Sequence, residues 1–201
     1  MKTPLYNPTR ASGFTLGELM LTLAVAAVLA AIAVPNMRDF IRNNRLASAS
    51  NDLLRSVQIA RSEAIKRQRV VASCASANPM DANPSCSNDA FTGWIVFEDV
   101  NNNWARDAGE EVIERKTVPD GVSAVNNNNG VVSYAPTGFS NTTAGQTATD
   151  RVVFCDARGN TQVGGSSTAR ALIIEPAGRA RVTKDYDTVD GVLGEIGDSC
   201  P

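Results

Sequence analysis

Gly13-Phe14-Thr15-Leu16-Gly17-Glu18-Leu19-Met20, followed by an apolar run that ends at Pro35, decides most of what this chain can be. From Leu19 to Val34 the only polar side chain is Thr22. A stretch this apolar reads as a helix of membrane grade. Glu18 stands within its first turn. A lone carboxylate at the edge of an apolar span is costly unless it finds a partner, so Glu18 is a functional-site candidate. Its natural partner is a positive charge. A free amino group, made by cutting the chain before Phe14, would supply one.

Residues 1 to 13 carry Lys2, Arg10, Pro4 and Pro8, hold no acid, and end on the small Gly13, the composition of a leader. A competing pattern lies downstream. Ala31-Ile32-Ala33 fits ordinary secretory cleavage, which would release a soluble domain beginning at Val34. Two observations oppose it: Glu18 interrupts the start of the apolar region, and the helical pattern continues past Pro35.

Beyond Pro35, Leu46, Ala49, Leu53, Val57, Ala60 and Ala64 recur at three- and four-residue steps, the one-sided stripe of an amphipathic helix. The other face carries Arg42, Asn43, Arg45, Asp52, Arg55, Arg61, Glu63 and Lys66 and reads as a solvated face. A helix from Phe14 to about Arg69 would be ~84 Å long at 1.5 Å per residue. Pro35 is expected to kink it rather than end it. The first half can span a bilayer; the second needs a sheet to cover its stripe. After Cys86 the pattern turns to short β-branched and aromatic runs at 93–97, 111–115, 131–134, 151–154, 171–174 and 181–183. Loops rich in Asn, Gly and Thr separate them, including 126–130 and 140–149. The expected organisation is a leader (1–13), a transmembrane half-helix (14–36), an amphipathic half-helix (37–69) and a β-rich head (70–201). The fold class is α+β: a long N-terminal helix packed on a small antiparallel head.

Composition narrows the function. With 19 basic and 21 acidic residues the net charge is -2, and losing Lys2 and Arg10 with the leader makes it -4. The chain as a whole has no electrostatic pull on nucleic acid, so such binding must come from a local patch. Histidine is absent. That removes the commonest general base and metal ligand and every Ser-His or Cys-His arrangement. No phosphate-binding or nucleophile-elbow motif is present. The expectation is a protein that is not an enzyme and needs no cofactor. Four cysteines, at 74, 86, 155 and 200, all follow the apolar segment. In an exported domain they read as two disulfides, with three possible connectivities. Cys74 and Cys86 bracket a loop rich in Pro and Asn, which favours a local bridge and leaves Cys155 with Cys200. Their spacings lack the close pair that zinc sites use.

The string Gly-Phe-Thr-Leu-x-Glu-Leu after a short polar leader resembles the class III signal of type IV pilins and pseudopilins. Further strings sharpen the resemblance: Arg42-Asn-Asn-Arg-Leu-Ala47, Ala60-Arg-Ser-Glu-Ala-Ile-Lys-Arg67, Gly93-Trp-Ile-Val-Phe-Glu-Asp99 and Gly178-Arg-Ala-Arg-Val182. Together they resemble the GspH/FimT family, minor pilins and pseudopilins of type IV pili and type II secretion systems. The resemblance implies a prepilin peptidase that cuts after Gly13 and methylates the amino group of Phe14. It implies insertion in the inner membrane with a periplasmic head, followed by incorporation among other pilins in a pilus or pseudopilus. Glu18 would pair with the amino terminus of a neighbouring subunit, and Ala24, Ala26, Ala27, Ala30 and Ala31 would allow close helix packing. One branch of the family binds DNA for uptake in natural transformation, through a Gly-Arg-x-Arg motif. Here that motif is Gly178-Arg179-Ala180-Arg181, after Pro176. Strand alternation would project Arg179 and Arg181 on the same side, suited to phosphate oxygens. Arg158, Arg170 and Lys184 are candidates to extend the patch. Against it stand the acids Asp185, Asp187, Asp190 and Glu195, and the arginines could instead pair with Glu175 and Asp185. A structural or priming pilin, or a secretion pseudopilin without DNA binding, is the alternative.

Asp99, Asn101, Asn103 and Glu110 occupy the first, third, fifth and twelfth places of an EF-hand-like loop. Trp104 stands where that loop needs glycine, and flanking helices are missing. An Asx-turn loop between two strands accounts for the same residues, so no metal site is expected.

Overall fold

The computed structural model describes residues 13–87, 91–127, 130–141, 150–197 and 200; the expected leader, apart from Gly13, and most of the 140–149 loop lie outside them. The chain divides into two units, Met1–Ile41 and Arg42–Pro201. Helix α1 (Leu16–Arg67) runs from the first into the second, and Pro35 does not end it.

In the first unit every described apolar side chain is exposed. The helix is long and apolar enough to cross a membrane. A helix apolar on all sides is stable only among lipid tails or other helices.

Among the described residues the second unit holds the rest of α1, nine strands and a second helix. The strands are β1 (Val71–Ser76), β2 (Gly93–Glu98), β3 (Val112–Thr117), β4 (Ser123–Asn126), β5 (Val131–Tyr134), β6 (Asp150–Cys155), β7 (Gln162–Val163), β8 (Ser166–Ile174) and β9 (Ala180–Asp185). They form two antiparallel sheets, one ordered β3-β2-β1-β5, the other β4-β6-β8 with β7 and β9 both on β8. All six residues of the predicted helical stripe are buried, packed with Val71, Trp94, Val96, Val132 and Tyr134 of the first sheet and Val152, Phe154, Leu172 and Ile174 of the second. Trp94 donates its indole N–H to Ser56 Oγ at 2.8 Å, which satisfies a polar group in that core.

The charged face of α1 is less solvated than the sequence suggests. Arg45 donates to the Asp120 carbonyl at 2.9 Å and Arg61 to the Gly138 carbonyl at 2.9 Å. Arg67 binds Glu63, Glu98 and Glu111, and its hydrogen bonds, Glu111's foremost, hold the guanidinium above its usual pKa. These long side chains fasten the helix where its apolar stripe ends.

Helix α2 (Tyr186–Ile196) is, with strands β1, β4 and β7, an element the sequence reading lacks. Asp185 caps it by accepting from Thr188 N–H, and Gly197 ends it in the left-handed region at φ 73°. Its Val189, Val192 and Leu193 pack with Val153, Cys155, Ala169, Ala171 and Ile173 on the face of the second sheet that α1 does not cover. Cys74 is joined to Cys86 and Cys155 to Cys200, with Cα atoms 5.5 and 5.6 Å apart.

Candidate nucleic-acid interface

Strands β8 and β9 are joined by a tight turn, Glu175-Pro176-Ala177-Gly178. Gly178 N–H donates to the Glu175 carbonyl at 2.8 Å, and Glu175 N–H to the Arg179 carbonyl at 2.9 Å. Pro176 presets the turn's first torsion and Gly178 takes φ +75°, which a side chain rarely adopts. A Cβ at Gly178 would also collide with the Gly138 carbonyl oxygen and lie 3.1 Å from the Tyr134 ring. Glycine is required here twice over.

The turn is held from beneath. Arg61 Nε donates to the Gly138 carbonyl at 2.9 Å while its Nη2 reaches the Ala177 carbonyl at 3.4 Å. Buried Tyr134 donates its hydroxyl to the Gly178 carbonyl at 3.4 Å, and burial pushes the phenol pKa up, so it stays a neutral donor. Ser140 N–H donates to the Pro176 carbonyl at 3.1 Å. Two segments far apart in sequence, Arg61 of α1 and residues 134–140, thus converge on one turn.

Two arginines follow it. The Arg179 side chain is exposed and has no hydrogen-bond or ion-pair partner among the described residues. Arg181 stands opposite Ile173 in the ladder, so it projects on the α2 face of the sheet. Its Nε lies 3.9 Å from Glu175 Oε1, with both side chains about half exposed (55% and 45%). A pair at that distance in water contributes little. Asp185 is not available to either arginine as a pairing partner of choice, because its carboxylate accepts from Thr188 N–H and hydroxyl at 3.0 and 2.6 Å. Those bonds, the hydroxyl's first, hold its carboxyl below its usual pKa. Two other nearby acids are also engaged: Glu195 by Arg151 and Asp190 by Asn160.

The remaining basic residues do not join this patch. Arg170 stands opposite Phe154, and Lys184 shares strand parity with Val182, so both lie on the α1 side. Arg170 donates to the carbonyls of Ser167 and Ala169, and burial, then the charge of Arg158, pulls its pKa down. Arg158 binds Asp156 and Asn43. Burial raises the Asp156 carboxyl, but hydrogen bonds from the Arg158 side chain and backbone outweigh it, and its pKa lies below the usual range. Alternation along β8 and β9 separates Arg170 and Lys184 from Arg181, and Arg158 lies in the turn after β6.

At the other end of α1, Thr15 and Glu18 form a capping box. Thr15 N–H and hydroxyl both donate to Glu18 Oε2 at 2.9 Å, and Glu18 N–H donates to Thr15 Oγ1 at 3.2 Å. The Thr-x-x-Glu spacing is the sequence signal of this box, and Glu18 is thereby engaged by Thr15 rather than a charge without a partner. Phe14 is 90% exposed.

The loop from Asp99 to Glu110 is built from Asx turns. Asp99 accepts from Asn103 and Trp104 N–H at 3.1 and 3.0 Å, and Glu110 from Val100 and Asp107 N–H, both at 2.8 Å. Burial raises the Asp99 pKa, and the charge of Glu110 adds to that, while the backbone N–H groups oppose it. Among the described residues no group of three or more His, Cys, Asp or Glu is arranged to hold a metal ion.

A pilin-type subunit, with an apolar helix running into a small antiparallel head, is the class this fold defines. Residues 49–178 match the family described as type II transport protein GspH. The chain belongs to that family, the minor pilins and pseudopilins. The match stops at Gly178, immediately before Arg179, so membership alone does not speak for the two arginines. Among solved structures, the chain is similar to the type IV minor pilin FimU of Pseudomonas aeruginosa strain PAO1. That likeness has 19% identity and a TM-score of 0.46, covering 74% of this chain and 94% of that one. It is also similar to the minor pseudopilin EpsH of the type 2 secretion system of Vibrio cholerae, with 6% identity and a TM-score of 0.45, covering 70% and 97%. Both likenesses are distant, and the family assignment does not rest on them. Among curated proteins, none matches.

Proposed function

We propose that this chain is a minor pilin of a type IV pilus that adds a weak, sequence-independent DNA contact through Arg179 and Arg181, for DNA uptake. The observation that carries this reading is the turn itself. Arg61, Tyr134 and Gly138 hold it rigidly, and it presents two exposed guanidiniums, one without a partner and one with a long contact to Glu175. A preorganised fork of donors suits phosphate oxygens, which carry no base information.

The remaining steps follow the pilin class. A prepilin peptidase cuts after Gly13 and methylates Phe14; the helix anchors the subunit in the inner membrane with its head in the periplasm, where the two disulfides form. On joining a filament of other pilins, Glu18 exchanges its own cap at Thr15 for the amino terminus of a neighbour.

Two phosphate contacts predict micromolar or weaker binding and, with a slope of about -0.9 per contact, a loss of roughly tenfold between 50 and 200 mM salt. Fluorescence titration with duplex DNA at low salt tests this. Arg179→Ala with Arg181→Ala should abolish binding and leave the fold unchanged. No binding by the unaltered chain, or equal binding by the double variant, refutes the DNA role. The family description favours a second reading, a type II secretion pseudopilin whose arginines only face solvent; that reading takes over if the titration fails.

A further inference from the structure

Phe139 is 58% exposed, and among the described residues of the head it is the one aromatic side chain that is not at least partly buried. A ring of that size is ordinarily placed in a core or an interface. Its position is tied to the turn described above. Phe139 directly follows Gly138, whose carbonyl is held by Arg61, and Arg179 directly follows Gly178, whose added Cβ would collide with that same Gly138 carbonyl. The Ala135–Phe139 loop closes on itself through Gly138 N–H to the Ala135 carbonyl at 2.8 Å and Ala135 N–H to the Phe139 carbonyl at 3.0 Å. Its next residue, Ser140, donates to Pro176. Two rigid loops are therefore clamped backbone to backbone, one ending in an exposed ring and the other in two exposed guanidiniums.

This pairing of chemistries is selective. Guanidiniums bind phosphates of either a duplex or a single strand, but an exposed ring can stack only on a base that has left the duplex stack. We propose that Phe139 is a base-stacking residue and that the chain prefers single-stranded DNA to duplex, with a base on the Phe139 ring and neighbouring phosphates on Arg179 and Arg181. The proposal rests on the DNA-binding reading given above and specifies the form of DNA that the site takes. The two fail separately, because the arginines act on both forms and the ring on one.

The test is fluorescence anisotropy of the full chain in nonionic detergent at low salt, against a labelled mixed-sequence single strand and the duplex of the same sequence. The unaltered chain should bind the single strand more tightly. Phe139→Ala should weaken single-strand binding by about tenfold, in line with the loss of one stacked base, and leave duplex binding within a factor of about two. Phe139→Trp should restore single-strand affinity, and its indole fluorescence should be quenched on binding. Equal affinity for both forms, with Phe139→Ala changing neither, overturns the stacking role and leaves the arginine contact standing. A Phe139→Ala loss of the same size on both forms also overturns it, since a ring that only supports the turn would act that way. Binding to neither form by the unaltered chain overturns the DNA reading and the stacking role together.

Discussion

Replacing Gly178 by alanine should cost far more than the same change at another left-handed glycine, and the difference isolates what holds the arginine turn. At Gly164, φ is +56° and nothing lies within 4 Å of an added Cβ, so the penalty is backbone strain alone, about 1 kcal/mol. At Gly178, φ is +75° and the added Cβ meets the Gly138 carbonyl, the Tyr134 ring at 3.1 Å and Arg61 Nε at 3.3 Å. The carbonyl is backbone fixed by Arg61 and cannot swing away, so overpacking adds about 2 kcal/mol to a similar strain. The smaller freedom of alanine in the unfolded chain is the same in both variants and cancels from their difference. For a chain of this size ~1 kcal/mol moves the melting temperature by about 3 °C. Thermal unfolding followed by circular dichroism should therefore fall by about 3 °C for Gly164→Ala and about 9 °C for Gly178→Ala. DNA binding should weaken only in the second. Equal shifts in the two variants would refute the claim that the turn is clamped against the Gly138 loop.

Loop length orders the two disulfides. Closing a loop with a separation of 45 residues (Cys155–Cys200) restricts the unfolded chain by about 4 kcal/mol, against about 3 kcal/mol for the separation of 12 (Cys74–Cys86). Denaturant unfolding of the two double-serine variants should show the larger loss for the first pair. Asp156, held below its usual pKa in the folded state, contributes stability that is present above the ordinary carboxylate range near pH 4 and lost as pH falls through the lower folded value. Asp156→Asn should flatten the acid limb of a stability–pH curve and leave Arg158 without its carboxylate. Glu18→Gln preserves an acceptor for the capping box but removes the charge, so it should insert in the membrane and fail to enter filaments, the outcome expected of Glu18→Ala as well. Normal filament entry by the glutamine variant would reduce Glu18 to a helix cap.

Much of this architecture is legible in the chain because the patterns are long. The stripe from Leu46 to Ala64 is six residues deep, and each of them is buried. Six strands are readable from β-branched runs. Strand β1, Val71–Ser76, is not, because its Ala, Ser and Cys residues carry little strand preference although all six positions are buried. Helix α2 hides behind Gly191 and Gly194, which lower helix propensity, while its cap Asp185, its closing Gly197 and the spacing of Val189, Val192, Leu193 and Ile196 were there to be found. The arginine motif is readable as a string, but its neighbours are not. That Arg61, Tyr134 and Phe139 converge on it depends on contacts spanning up to 116 residues, which no local pattern records. Placing Arg170 and Lys184 on the opposite face from Arg181 needs the register of β8 with β6 and β9, which sequence alone leaves open.

Whether this chain enters a filament depends first on where its mature form begins. Intact-mass and N-terminal peptide spectrometry of the protein purified from membranes measures that directly. The predicted result is a chain starting at Phe14 with a methylated amino group, which leaves Glu18 one helical turn from the new terminus. A chain starting at Val34 would mean ordinary secretory cleavage after Ala33, with the anchor and Glu18 discarded, and would contradict the account.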